Sequence, residues 1–186
     1  IRHALDGNAI LFLGAGFSIG GTNKINETLP NASKLSFQMC DELSIERSDD
    51  LTLISERFID DPTVGKGVDA LISFLKLRLI CTTSTPVQDT IIGLPWLRIY
   101  TTNYDNIIEI SSKKQNIERE TITATIPKYS IDNIEGAIVH MNGNIIKITP
   151  EKFYDEFKIT NESYLKQGFL ESPWGDQFVH DINNCK

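Results

Sequence analysis

The chain has 186 residues, of which 40% are hydrophobic and 23% charged, a balance that gives a globular domain enough apolar chain to bury a core. Its formal net charge is -7 and no dense Lys/Arg run interrupts it, which speaks against direct nucleic-acid binding by this segment. No apolar run approaches membrane-spanning length, the first residues lack the core and cleavage site of a secretory signal, and Cys40, Cys81 and Cys185 form no C-x-x-C pair. A reducing, cytoplasmic setting with no membrane contact and no zinc is therefore expected.

Arg2 to Asp6 reads as a helix end stopped at Gly7. Ile10–Leu13 predicts a strand covered on both faces, as in a parallel sheet. It breaks into Gly14, Ala15 and Gly16, a turn with almost no side-chain bulk. A backbone of that kind approaches a pyrophosphate closely, and N–H groups opening a following helix can bind it. The usual G-x-G-x-x-G fingerprint departs here: Ile19 holds the third-glycine position and Gly20 follows one place late. Gly20 to Ser33 reads as a polar loop. Apolar residues at helical spacing predict helices over Leu35–Leu43, Asp50–Ile59 and Val68–Ile80. Another is expected over Ser84–Ile92, capped by Ser84 or Thr85 with Pro86 in its first turn. The block Leu35–Gly93 is thus expected to be a helical insert between two strands, with Cys40 and Cys81 as core thiols.

A second strand is expected at Leu97–Thr101, then a polar turn at Thr102–Asp105 and a helix opening at Asn106–Ile110. Thr121–Ile126 and Ala137–Met141 read as further strands, Asn142-Gly143 as a turn, and Ile145–Ile148 as a fifth strand or hairpin arm. Thr149 and Pro150 open a helix to about Phe157, and beyond Asn161 the pattern fades. The fold class expected is α/β, a Rossmann-like parallel sheet flanked by helices with a helical insert. Residues 1–186 are expected to form one domain, ending at Lys186 without a closing strand, as a piece of a longer protein would.

Three apolar runs close on small or polar residues: FLGAGFS, IYTTNYDN and IVHMNGN. In a parallel sheet the carboxyl ends of the strands share one edge, so Gly14–Ser18, Thr101–Asn106 and His140–Asn144 should converge on one crevice. Each candidate also has a bland reading. Asn103 is a turn former, Asp105 and Ser18 are helix caps, Tyr104 is packing, and Phe153, Tyr154 and Phe157 are core or subunit contacts. Asp60-Asp61 reads as a solvated helix end, and His3 and His180 as incidental surface residues.

These motifs resemble the sirtuin-like (silent information regulator) family, and most of all its bacterial branch in antiphage defence, whose members cleave NAD. GAGFS is similar to the family's GAG-x-S turn. IYTTNYDNIIE is similar to its T-x-N-x-D strand end, and the preceding LPWLRI also fits that branch. VHMNGNI is similar to its third segment, usually H-G after apolar residues, and the likeness spans Ala9–Phe157. The resemblance implies that Gly14, Ala15, Gly16 and Ser18 hold the pyrophosphate. It implies that Asn103 orients the attacking water beside the ribose that carries nicotinamide, and that a third-motif histidine, His140 here, is the general base. Thr102, Asp105, Asn142 and Gly143 complete the implied NAD-binding set.

The chemistry is consistent with those roles. Nicotinamide leaves NAD as a neutral base from a cationic precursor, so no strong acid is needed. The protein has to position the ribose and stabilise an oxocarbenium-like transition state. An amide donates and accepts, and a histidine with a pKa near 6.5 is a usable base.

Two departures bear on the reading. Asn142, not a histidine, precedes Gly143. Either His140, two residues earlier on the same strand face, reaches the crevice one step deeper, or it is a structural histidine tied to a backbone carbonyl and Asn142 takes the catalytic place. The chain also lacks the cysteine tetrad after Gly143 and the Asp-Phe-Arg segment after the glycine turn that mark protein deacylases. The expected function is therefore NAD+ glycohydrolase, an NAD-depleting effector in antiphage defence. It is expected to be a homo-oligomer governed by a helicase-like ATPase, an Argonaute-type protein or a sensor domain. The alternatives are a silent NAD or ADP-ribose sensor or scaffold, and a deacylase or ADP-ribosyltransferase. NAD and NADP are not separated, because no acidic residue for the adenine ribose can be picked out.

Overall fold

The structure is a computed structural model that describes residues 2–65, 67–131, 134–166 and 168–185. The order is α1 (Arg2–Leu5), β1 (Ile10–Leu13), a 3-10 turn (Ala15–Ser18), β2 (Thr22–Asn23), α2 (Ala32–Leu43), α3 (Leu51–Asp60), α4 (Gly67–Leu79), β3 (Cys81–Thr83) and α5 (Pro86–Ile92). It continues with β4 (Arg98–Thr101), α6 (Ile107–Lys114), β5 (Thr121–Thr123), β6 (Ile138–His140), α7 (Phe153–Glu156), α8 (Asn161–Leu165) and α9 (Gly175–Asn184). Strands β1, β4, β6 and β5 pair in that order as a parallel sheet flanked by helices, the Rossmann-like α/β arrangement the strand spacing predicts. Among the described residues no helix is long and apolar enough to cross a membrane.

Register and alternation sort the side chains. Leu13, Thr101, His140 and Thr123 stand abreast at the carboxyl ends of the four strands. Side chains two apart share a face, so Leu13, Ile99 and Ile138 meet Ile92 of α5 and Ile107 and Ile108 of α6 in one core. The intervening positions Tyr100, Val139 and Ile122 face the other way, onto Trp174, with Phe178 of α9 against Tyr100 at 4.8 Å between ring centroids. Asp181 pins α9 to this face: it accepts from Arg98 Nε, from Arg98 Nη2 at 2.6 Å and from the Tyr100 hydroxyl at 2.7 Å.

The helices of the insert start where capping chemistry allows. Asn31 accepts from Lys34 N at 2.8 Å ahead of α2, and Asp50 from Leu53 N at 3.0 Å ahead of α3. Thr85 and Gln88 form a reciprocal capping box at α5, with Pro86 in the first turn. Their apolar stripes, including Leu35, Met39, Ile54, Phe58, Leu71 and Leu75, bury together with Ile145, Ile148, Phe153 and Phe157. The insert is thereby fixed to the chain that follows β6.

Several expectations are corrected. β1 is an edge strand of the four, and it is not fully covered on both faces: Leu13 is buried, but Phe12, on the face towards Phe178, remains 52% exposed. Leu35–Gly93 is not wholly helical: Cys81–Thr83 is a strand antiparallel to Thr22–Asn23, which lies inside the expected loop, and Ile92 of α5 belongs to the sheet core. Ile145–Ile148 is a turn, with Ile148 N donating to Asn144 O at 3.1 Å; Ile145 and Ile148 enter the insert core, Ile146 stays exposed, and none pairs with a described strand. The third strand stops at Thr123 and the fourth at His140. Cys40 and Cys81 are buried free thiols.

Candidate functional site

The tips of β1 and β4 lie side by side, with Thr102 N donating to Leu13 O at 3.1 Å. Asn103 follows, and its Nδ2 donates to Gly14 O at 3.0 Å and to Ser18 Oγ at 2.8 Å. A carbonyl only accepts, which fixes the amide's orientation and commits both of its hydrogens. Among the described residues no protein donor reaches Asn103 Oδ1. Asn103 lines a cavity of about 300 Å³ between the strand ends and the insert, with Ala15, Ser18, Thr102, Asp105 and Asn142 on one side and Asn31, Leu35, Leu51 and Thr52 on the other. That volume is at the lower end of small-molecule sites, about 300–1,000 Å³.

Ser18 passes the bond on: its hydroxyl donates to Asp105 Oδ2 at 2.6 Å. Asp105 Oδ1 accepts from Ile107 N at 3.1 Å, so the carboxylate serves α6 as a start signal while anchoring the glycine turn. Burial pushes the Asp105 pKa up by more than these two bonds lower it. Gly21 lets the turn settle there, since a Cβ at this position would lie 2.6 Å from Ile107 Cδ1.

The glycine turn does not open an α-helix, so no α-helix N-terminus directly follows Gly14–Ser18. Ala15–Ser18 is a single 3-10 turn; Ile19 is already extended, and Gly20, at φ +90°, sends the chain towards β2. Two helix starts border the cavity, that of α2 at Asn31 and Ala32 and that of α3 at Leu51 and Thr52. Gly16 is exposed, with no atom within 4 Å of where its Cβ would stand.

The third motif divides. Asn142 lines the cavity and its Nδ2 donates to Thr102 O at 3.2 Å. Gly143 lies outside the cavity wall at φ +101°, where a Cβ would run into the Glu156 carbonyl and Phe157. His140 is 0% exposed and also outside the wall. The strand ends at His140, so alternation does not carry on to Asn142, and the imidazole points to the α6 face with Thr101.

There His140 Nδ1 donates to Asn103 O at 2.9 Å and Nε2 lies 2.9 Å from Glu109 Oε1. Asn144 Nδ2 and Thr121 Oγ1 also donate to Glu109 Oε1, at 3.0 and 3.2 Å. Burial disfavours the imidazolium, but the charge and hydrogen bond of Glu109, with the Asn103 carbonyl and the charge of Asp105, outweigh it and raise the His140 pKa above its ordinary value. Burial likewise works against the Glu109 carboxylate, and His140 reverses it, leaving the Glu109 pKa below the usual range. Glu109 does not stand out from the sequence, whereas Asn144 is there as the end of the His140–Asn144 segment expected at the crevice. The available signal was an acid between Ile108 and Ile110 on an apolar helix face.

Tyr104 packs, stacked on Phe157 at 4.6 Å with its hydroxyl donating to Lys158 O, and it also lines the cavity between Asn103 and Asp105. A larger hollow of about 440 Å³, lined by Glu109, Lys113, Glu118 and Arg119 among others, opens at the amino-terminal ends of β5 and β6. It is at the wrong edge of a parallel sheet for a strand-end site, which is why the smaller cavity is the candidate. Among the described residues no three His, Cys, Asp or Glu side chains gather as a metal centre requires. No protein-family model matches the chain, and no curated protein matches it.

Proposed function

We propose that this chain is an NAD+ glycohydrolase domain, converting NAD+ and water into nicotinamide, ADP-ribose and a proton. The observation that carries the reading is the Asn103 carboxamide, whose donors are spent on Gly14 O and Ser18 while its Oδ1 has no protein donor among the described residues and the side chain borders the strand-end cavity. A fixed acceptor there takes a hydrogen bond from a ribose hydroxyl or from the attacking water. The bond from ribose C1′ to nicotinamide breaks with its electron pair going to the ring nitrogen. Water oxygen then bonds to C1′ and its proton leaves to solvent. Positioning supplies the rate, because the leaving group needs no proton.

The resemblance supports the wider role: a cytoplasmic NAD-depleting effector of antiphage defence, self-associated and switched by a helicase-like ATPase, an Argonaute-type protein or a sensor domain. A second reading, a module that binds NAD or ADP-ribose without turnover, is favoured by one observation. The cavity wall holds Asn142 where the family pattern has a histidine, and His140 lies outside it.

Nicotinamide release from NAD+ by the full-length protein, in its native assembly, separates the two. Asn103→Ala should reduce release by about 100-fold or more while NAD affinity stays within a few-fold. Measurable binding with no release by the wild type would establish the silent module. Running NADP+ in parallel assigns the dinucleotide.

A further inference from the structure

His140 is buried directly beneath the residue that the proposed hydrolysis depends on. It stands in register with Thr101, two residues before Asn103, and its imidazole reaches up to the Asn103 carbonyl. Four groups face or bias it: that carbonyl from the β4–α6 connection, Glu109 from α6, Asn144 from the turn after β6, and the charge of Asp105. Neither ring nitrogen is left over for a ligand.

We infer that His140 is a positioning residue for Asn103, a buried imidazolium clamped by Glu109 that grips the main-chain carbonyl of Asn103 and touches no substrate atom. The peptide bearing Asn103 is held on both sides, because its N–H donates to Thr101 Oγ1 at 3.0 Å while its carbonyl accepts from His140. With the backbone fixed and the amide tied to Gly14 O, Oδ1 has one direction left. The Asn103 carbonyl accepts, so Nδ1 carries a hydrogen in either form. At Nε2 the Glu109 carboxylate calls for a second hydrogen, whereas the Asn144 amide, its oxygen held by Ile146 N, presents a donor 2.9 Å away that must turn wholly to Glu109 when the ring is charged. On deprotonation Nε2 would turn a lone pair on Glu109, and the Asn144 amide, 2.9 Å from Nε2 and 3.0 Å from Glu109, would switch from the carboxylate to the ring. That exchange loosens the clamp on Asn103.

The kinetic part of the test rests on the hydrolase reading, and the spectroscopic part does not. An asparagine amide reproduces the Nδ1 donor of histidine and a glutamine amide the Nε2 donor. His140→Asn, with Glu109→Gln to neutralise the acid left behind, keeps the bond to the Asn103 carbonyl. His140→Gln keeps only the bond to Glu109. The expected result in the full-length protein is nicotinamide release within about threefold of wild type for the first, and a kcat about 10- to 100-fold lower at unchanged KM for the second. Loss of release in both would overturn the inference, because the retained bond to the Asn103 carbonyl would then not be what activity depends on.

Ring-nitrogen NMR of labelled histidine, with His140→Gln to assign the signals, reads the charge directly. Two protonated nitrogens at pH 7, and an Asn103 side-chain amide signal that moves in His140→Gln but not in the paired variant, would support the inference. A neutral ring, or an Asn103 amide indifferent to both changes, would overturn it. If no form releases nicotinamide, the hydrolase proposal fails while these signals still decide the positioning role.

Discussion

The Ser18 hydroxyl donates to the Asp105 carboxylate across 2.6 Å, joining the end of the glycine turn to the start of α6. Both side chains are buried, and the same hydroxyl accepts from Asn103 at 2.8 Å, so one oxygen holds two strand-end motifs together. Ser18→Ala strips Asp105 of that donor and leaves one Asn103 amide hydrogen without a partner. It should destabilise the fold by about 1–3 kcal/mol, read as a lower urea midpoint at constant slope. An unchanged midpoint would mean that the bond is absent in solution.

Gly16 offers the opposite behaviour. Its Cβ position meets nothing within 4 Å and its φ is not left-handed, so Gly16→Ala should leave the unfolding midpoint unchanged. If the turn seats a pyrophosphate, the added methyl blocks close backbone approach and weakens NAD binding by about tenfold or more in calorimetry. Equal affinity for both proteins would move the phosphates elsewhere, with the α2 start as the next place to examine.

The pair His140 and Glu109 gives stability a defined pH course. His140 has its folded pKa raised above 6.5, so its contribution is fully present below 6.5 and is lost as pH rises through the folded value. Glu109 has its folded pKa lowered from 4.5, so its contribution is present above 4.5 and is lost as pH falls through the folded value. In acid, Asp105 opposes Glu109, because its folded pKa is raised above 3.8. The alkaline limb therefore isolates the histidine. Between about pH 6 and 8 the wild type should lose stability in denaturant titrations, whereas Glu109→Gln, which leaves burial opposed only by the Asn103 carbonyl and the charge of Asp105, should lose clearly less or gain. Parallel slopes for the two proteins would refute the buried ion pair.

On the opposite face, Arg98 and Asp181 are 5% and 1% exposed at their side chains and hold α9 against β4. Asp181→Ala leaves a buried guanidinium without its carboxylate and should cost about 3–5 kcal/mol. Hydrogen exchange should show faster opening over Gly175–Asn184 than over α6. Uniform acceleration would mean that α9 does not open as a separate unit.

Much of this arrangement was legible because apolar runs ending on Gly, Thr or Asn announce strand tips, and i, i+3, i+4 stripes announce the insert helices. The edge position of β1 was not, because strand order depends on how crossovers pack and leaves no trace in a four-residue run such as Ile10–Leu13. The face that His140 adopts turns on where β6 stops, a one-residue matter that alternation cannot fix from sequence. α9 was missed for a different reason: its fully buried anchor is Asp181, and the partner lies 83 residues away. Ile145–Ile148 was mistaken for a strand because β-branched residues signal burial as readily as they signal extension. At the site, Asn103, Ser18 and Asp105 stood out by type and position, whereas Glu109 hid inside an ordinary helix.

Gly143 sits at φ +101° with the Glu156 carbonyl pressed against the space a side chain would need, so the descent of the chain onto α7 demands glycine whether or not any dinucleotide ever arrives. A pattern that scores a polar residue followed by glycine at this place therefore detects a bend in the backbone. It scores a demand of the fold, and carries no information on whether a chain with this bend turns anything over.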